Sequence, residues 1–173
     1  MADMLVKLYN LPPLQPALDP LRQINITIRP ARVGEENQIS PWIAHHFSSG
    51  WEQGVIYAIH RSPSSLFIAI EQQTADPNRS NLYELPSEKL VGFACYDTSS
   101  KGMFGPLGVL PSYESRGIGT ALLLTALHAM WAENYAYAVI GWAGPVDWYQ
   151  RTVGAELIAN SEPGPFRGPL LGI

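Results

Sequence analysis

Apolar and polar positions alternate along Ile24-Asn25-Ile26-Thr27-Ile28-Arg29, the pattern of a half-buried strand rich in β-branched residues. Pro30 closes it. The period then lengthens. Ile39, Trp42, Ile43 and Phe47 recur at helical spacing over 35–47, with Pro41 expected in a first turn. After the break at Ser49-Gly50, Trp51, Val55, Ile56 and Ile59 mark a second short helix over 51–60. Residues 65–71 and 89–97 read as strands. The polar stretch 72–88 between them, with Asp76-Pro77-Asn78 as a turn signal, reads as a long hairpin loop. Ser99 to Gly102 is the next turn, and Met103 to Leu110 another strand. Over 117–133 apolar residues cover most of a helix circumference, which predicts a helix buried against a sheet. Tyr135 to Trp142 is a nearly uncharged strand, expected to be covered on both faces. Gly144-Pro145 turns the chain. A short helix over 147–152 stops at Gly154, and 156–159 reads as a last short strand.

The resulting order, β α α β β β α β α β, describes one mixed α/β domain over 24–173. Two segments stand apart. The Gly- and Pro-rich end from Pro163 to Ile173 yields no element. Residues 1–23 hold Pro12, Pro13, Pro16 and Pro20 among scattered leucines and read as an extended arm. Its leucines pack on the domain or on a second subunit, a homodimer being the expected partner in that case. A partly ordered tail is the alternative.

Composition narrows the function classes. A chain of 173 residues is long enough for one full core. The net charge of −4 leaves no broad basic face, so no nucleic-acid partner is expected. Cys95 is the single cysteine, which excludes an internal disulfide and a multi-Cys zinc site; within the apolar run Leu90 to Tyr96 it reads as a packed core thiol. Adjacent His45 and His46 point about 100° apart on a helix and cannot face one ion, so no metal is expected. There is no run of about 20 apolar residues to span a membrane. The first residues lack the basic and apolar regions of a signal peptide, which makes the cytoplasm the expected compartment.

The chemistry concentrates between Gly105 and Trp131. A strand ends at Pro111, a turn carries Glu114-Ser115-Arg116-Gly117-Ile118-Gly119, and an apolar helix follows at once. Glycines at such a turn let backbone approach a ligand, and the first N–H groups of the helix are unpaired and partly positive. The unit is therefore suited to phosphate, although an ordinary tight turn would look the same. A dinucleotide-binding fingerprint fits less well, because Leu122 stands where its third glycine belongs.

The run Leu107-Gly108-Val109-Leu110-Pro111, then Glu114 to Gly119, then Ala121-Leu122-Leu123, resembles the acetyl-CoA-binding motif of the GNAT (Gcn5-related) N-acetyltransferases. Trp148-Tyr149-Gln150-Arg151-Thr152-Val153-Gly154-Ala155 is similar to the penultimate helix of that family. The resemblance implies the GNAT acyl-CoA N-acyltransferase fold, a mostly antiparallel mixed sheet flanked by helices. It implies acetyl-CoA as cosubstrate, with its pyrophosphate on the backbone of Glu114, Ser115, Arg116, Gly117, Ile118, Gly119 and Thr120. Its pantetheine arm would run along Leu107, Gly108 and Val109. Tyr149 is the expected acid for the departing thiolate, and the Val109 N–H the expected oxyanion donor. Glu52, in the segment bordering the acceptor site, is the favoured general base among Glu52, Glu71, Asp97 and Glu133. The acceptor is expected to be a small-molecule or peptide amine. Trp42, Trp51, Trp142 and Trp148 line its pocket or fill the core. Two positions depart from the family pattern: Glu114 replaces Gln or Arg, and Trp142 replaces Asn. An acidic side chain repels a pyrophosphate, so Glu114 is expected to point away or to be offset by Arg116. A non-catalytic acyl-CoA-binding module or a nucleotide-binding regulatory domain would be the alternative.

Overall fold

In a computed structural model, which describes residues 1–73 and 88–164, the chain forms a single seven-stranded sheet covered by helices on both faces. The strands are β1 (Met4–Lys7), β2 (Ile26–Pro30), β3 (Leu66–Gln72), β4 (Glu88–Tyr96), β5 (Met103–Val109), β6 (Tyr137–Ile140) and β7 (Glu156–Leu157). The helices are α1 (Gln15–Gln23), α2 (Glu36–His46), α3 (Glu52–His60), α4 (Ile118–Ala132) and α5 (Val146–Val153). The sheet order is β2-β3-β4-β5-β6-β1-β7. All neighbours are antiparallel except β5 and β6, which run parallel.

β4 explains why its sequence is continuously apolar. Val91, Ala94 and Tyr96 belong to the core beneath α4, while Phe93 and Cys95 point into a second core under α2 and α3. Both faces are dry, so alternation disappears. Cys95 is fully buried and unpaired, and burial pushes its thiol up, which makes it an inert packing group. Helix α4 lies across β3, β4 and β5, and Leu122, Leu123, Ala126, Leu127 and Met130 are completely buried there. On the other face Ile43, Val55 and Ile59 pack on Ile68 and Phe93.

The N-terminal segment corrects the expected extended arm. Met4 pairs with Ile140 on one side and Leu157 on the other, so β1 is inserted between β6 and β7. Met4 and Val6 are fully buried. α1 begins with Pro16 in its first turn, where the missing N–H costs nothing, and it tolerates Pro20 inside. Leu14, Ala17, Leu18 and Leu21 face the core. The observed order therefore gains a strand and a helix ahead of β2. Smaller differences are local. Pro41 sits inside α2 rather than in its first turn. β6 is shorter than 135–142, and Tyr137 on it is half exposed against the ring of Tyr9. The turn at 76–78 and residues 165–173 lie outside the described residues. Among the described residues, no helix is long and apolar enough to cross a membrane.

Candidate active site

The sheet opens between β5 and β6. They pair only at Met103–Val139 and Phe104–Ile140, and beyond that point β5 has no neighbouring strand on that side among the described residues. The N–H of Leu110 donates to the C=O of Val91 (2.9 Å). Antiparallel alternation then turns the N–H and C=O of Leu107 and Val109 away from β4, toward the open side. A free strand edge thus runs from Gly105 to Val109.

Gly108 keeps that edge in place. A Cβ there would stand 2.7 Å from the Phe47 ring and 2.8 Å from the Phe93 ring, closer than any real contact. Hydrogen is the only side chain that fits beneath Phe47, which itself packs edge-on against Trp42 and Phe93. Glycine here serves close packing rather than an unusual φ.

At the far end of the edge lies the loop before α4. Ser115 (φ +60°) and Gly117 (φ +83°) are both left-handed. No side chain caps α4, and its first backbone bond runs from the Ala121 N–H to the Gly117 C=O (3.0 Å). The N–H groups of Ile118, Gly119 and Thr120 therefore lack helical acceptors and carry the positive end of the helix dipole. They open into a hollow of about 200 Å³ lined by Val109, Tyr113, Glu114, Ser115, Gly117 and Trp148, among others. Arg116 is turned back onto the loop. Its guanidinium lies 4.6 Å over the Tyr113 ring and donates to the Ser112 carbonyl (2.9 Å). The Tyr113 hydroxyl donates to Glu71 (2.6 Å) and accepts from Lys89 (3.1 Å). Glu114 lines the hollow and makes no ion pair with Arg116 among the described residues.

At the near end of the edge is a larger cleft of about 480 Å³. Gly50, Trp51 and Gly54 border it from the α2–α3 side, Thr98 and Phe104 to Pro106 from the sheet, and Gly141 and Trp142 from the turn after β6. Trp148 on α5 faces the hollow, with its ring 4.8 Å from that of Tyr149. Tyr149 is 7% exposed and lines neither cavity. Its hydroxyl has no partner among the described residues, and burial pushes the phenol up to about 12.

The four carboxylates fall in different places. Glu52 is the first residue of α3, next to Trp51, and lines neither cavity. Glu71 is taken by Tyr113. Asp97 and Glu133 are both tied to Arg61, at 3.2 and 2.5 Å. Burial works to raise the Glu133 carboxyl, but hydrogen bonds from Arg61 and Tyr96 outweigh it and hold the group below its ordinary value. Asp97 also accepts from Tyr135 (2.7 Å) and the Gly102 N–H (2.6 Å). Of the four tryptophans considered for the pocket, Trp51 and Trp142 line the cleft and Trp148 the hollow, while the partly buried Trp42 packs against Phe47 and Phe93. Phe104, Gly105 and Gly141 had no distinguishing sequence signal, because the cleft arises only where two strands part. No cluster of three or more metal-ligating side chains occurs among the described residues.

A mixed sheet whose two parallel central strands part beside a strand–glycine-turn–helix unit defines the GNAT-type acyl-CoA N-acyltransferase fold. The Acetyltransferase (GNAT) family model matches residues 39–154, most of the chain, and the protein belongs to that family of acetyltransferases. No curated protein matches the sequence. Among solved structures, a GCN5-related N-acetyltransferase from Sphaerobacter thermophilus superposes with a TM-score of 0.62 at 20% identity, over 91% of this chain and 48% of that one. A GCN5-related glucosamine N-acetyltransferase region of a fungal multi-domain GH3 β-N-acetylglucosaminidase gives 0.66 at 13% identity, over 91% and 19%. A Drosophila protein gives 0.54 at 15% identity, over 91% and 47%. At such identities the likeness concerns the fold. The chain spans between a fifth and a half of the length of these solved chains.

Proposed function

We propose that the protein is an acetyl-CoA-dependent N-acetyltransferase acting on an amine by direct attack in a ternary complex. The observation that carries this is the unpaired edge of β5, which joins the left-handed loop at the N-terminus of α4 to the 480 Å³ cleft. The residues fit such a cosubstrate. Unpaired N–H groups of Ile118, Gly119 and Thr120, with the backbone of Glu114 to Gly117, receive the pyrophosphate. Leu107, Gly108 and Val109 offer peptide groups to a pantetheine arm as a neighbouring strand would. Acetyl-CoA supplies an activated acyl thioester; the remaining work belongs to the chain. The amine nitrogen bonds to the carbonyl carbon, and the carbon–sulfur bond breaks. The Val109 N–H holds the oxyanion that forms in between. Tyr149, kept neutral by burial, gives its proton to the leaving thiolate and recovers one from solvent. Glu52 takes up the proton released by the amine. No step calls for a metal. The cytoplasm is the compartment we assign.

The competing reading is an acyl-CoA-binding module without turnover. It is favoured by Glu114 on the wall of the hollow and by Tyr149 lining neither cavity. Thermal unfolding with acetyl-CoA, CoA, ATP and NAD at equal concentrations separates these. A ligand at a hundredfold excess over Kd stabilises by about 2.7 kcal/mol. A shift with acetyl-CoA and CoA alone, followed by amine-dependent thiol release, is the expected result. A shift without thiol release supports the binding module, and no shift with either CoA species refutes both.

A further inference from the structure

The cleft carries a second message, about what it accepts. Its walls are Trp51, Phe104, Pro106 and Trp142, with glycines at 50, 54, 105 and 141. Among the described residues, no charged side chain lines it. Met1 also borders it, with its ammonium paired to Glu162 at 2.8 Å. The two hydroxyls present are already engaged: Thr98 Oγ1 donates to the Gly105 carbonyl (2.8 Å), and Ser99 Oγ faces the Met103 sulfur (3.8 Å). The wall therefore offers apolar and aromatic surface and few open hydrogen-bonding groups.

Trp142 is held there against its backbone preference. Its φ of +47° is uncommon for a bulky residue and persists only where the surroundings impose it. Its N–H donates to the buried carboxylate of Asp3 (3.0 Å), and its Nε1–H to the Pro163 carbonyl (2.7 Å). Asp3 is fixed in turn, since its N–H donates to Ser161 Oγ (2.8 Å). Residues at both ends of the described chain thus present an indole that remains 44% exposed beside the cleft.

Building on the acetyltransferase reading, we propose that the cleft selects a small primary amine carried on a flat apolar group, an arylalkylamine or indolealkylamine, with Trp142 and Trp51 as the specificity-determining walls. The size fits, since 480 Å³ falls within the range of small-molecule sites. A flat group matches aromatic walls in area and in ring geometry. A polyamine would leave its further ammonium groups without carboxylates. A sugar amine would leave hydroxyls without partners, at a cost of about 5- to 100-fold in affinity per group.

The test compares kcat/KM in thiol release for phenylethylamine, tryptamine, spermidine, glucosamine and a short peptide with a free N-terminus. The expected result is a preference of roughly 100-fold or more for the two aromatic amines over spermidine and glucosamine. Trp142→Ala should raise KM for tryptamine about tenfold or more and leave KM for acetyl-CoA within about twofold; Trp142→Phe should restore most of the loss. Trp51→Ala repeats the test should the Trp142 variant not fold. Higher kcat/KM for spermidine, glucosamine or the peptide overturns the proposal, while thiol release with any amine leaves the acetyltransferase reading standing. If acetyl-CoA neither stabilises the protein nor is consumed, calorimetric titration with tryptamine decides the cleft alone. Saturable binding lost in Trp142→Ala supports it, and no binding overturns it.

Discussion

Replacing Gly108 by alanine tests the geometry on which the site depends. The new methyl carbon would stand 2.7 Å from the Phe47 ring and 2.8 Å from that of Phe93. To reach ordinary van der Waals contact, ring or strand must give way by roughly 0.7 Å. Neither has easy room. Phe93 is fully buried on β4 directly opposite Gly108, and Phe47 is wedged between Trp42, Trp51 and Phe93. Overpacking of this kind costs about 1–3 kcal/mol. For a chain of this size that corresponds to a fall in Tm of roughly 2–12 °C. The assay is thermal and urea unfolding of the variant beside the parent. Combining Gly108→Ala with Phe47→Leu gives a direct check, since the smaller side chain relieves one of the two clashes. The coupling in that double-mutant cycle should be favourable by about 1 kcal/mol or more. A Gly108→Ala protein with unchanged Tm, or a cycle with no coupling, would refute the packing account.

Further predictions concern the loop, the phenol and the ion-pair cluster. Gly117→Ala forces a methyl group at φ +83° and should cost about 1–2 kcal/mol in unfolding free energy, while weakening acetyl-CoA in the thermal-shift assay. Tyr149→Phe removes a hydroxyl with no partner among the described residues; stability should stay within about 0.5 kcal/mol and CoA binding should persist, with turnover falling about tenfold or more. Unimpaired turnover would remove Tyr149 from the mechanism. The same substitution has a pH signature. Folding raises this phenol from its usual value of 10 to about 12, so its contribution is complete below pH 10 and is lost as pH rises toward 12. Alkaline unfolding of Tyr149→Phe should therefore begin at higher pH than in the parent. Arg61→Ala strands the carboxylates of Asp97 and Glu133 and should cost about 3–5 kcal/mol. Because Glu133 is held below its ordinary value, its share of stability is present above about pH 4.5 and lost on acidification. The urea midpoints of parent and variant should draw together as pH falls below about 4.5.

Much of this was legible in the chain itself. Local rules identified the strand at Ile26, the helices bearing Ile43 and Ile59, and the buried helix starting at Ile118, because each repeats its apolar residues at one period over enough residues. Glycine at 117 and the apolar run before Pro111 marked the loop for the same local reason. The N-terminal strand escapes such local rules although Met4, Val6 and Leu8 alternate. Prolines nearby argued for an arm, and only the gap between β6 and β7, formed by residues more than 130 positions away, gives Met4 its partners. Non-local pairing also accounts for the rest. The parting of β5 from β6, the Phe47 ring over Gly108, the capture of Glu133 by Arg61 and the Asp3 carboxylate under Trp142 join residues distant in sequence. Their side chains announce nothing alone, since a carboxylate or an indole acquires its role from what the fold sets beside it. Periodicity and backbone freedom, both local, account for most of the elements from β2 onward, the buried helix α4 and the glycine turn before it. Tertiary structure decided which carboxylates are engaged, which tryptophans face the cleft and where the strand edge is free, because distance in space, not along the chain, sets each of those energies.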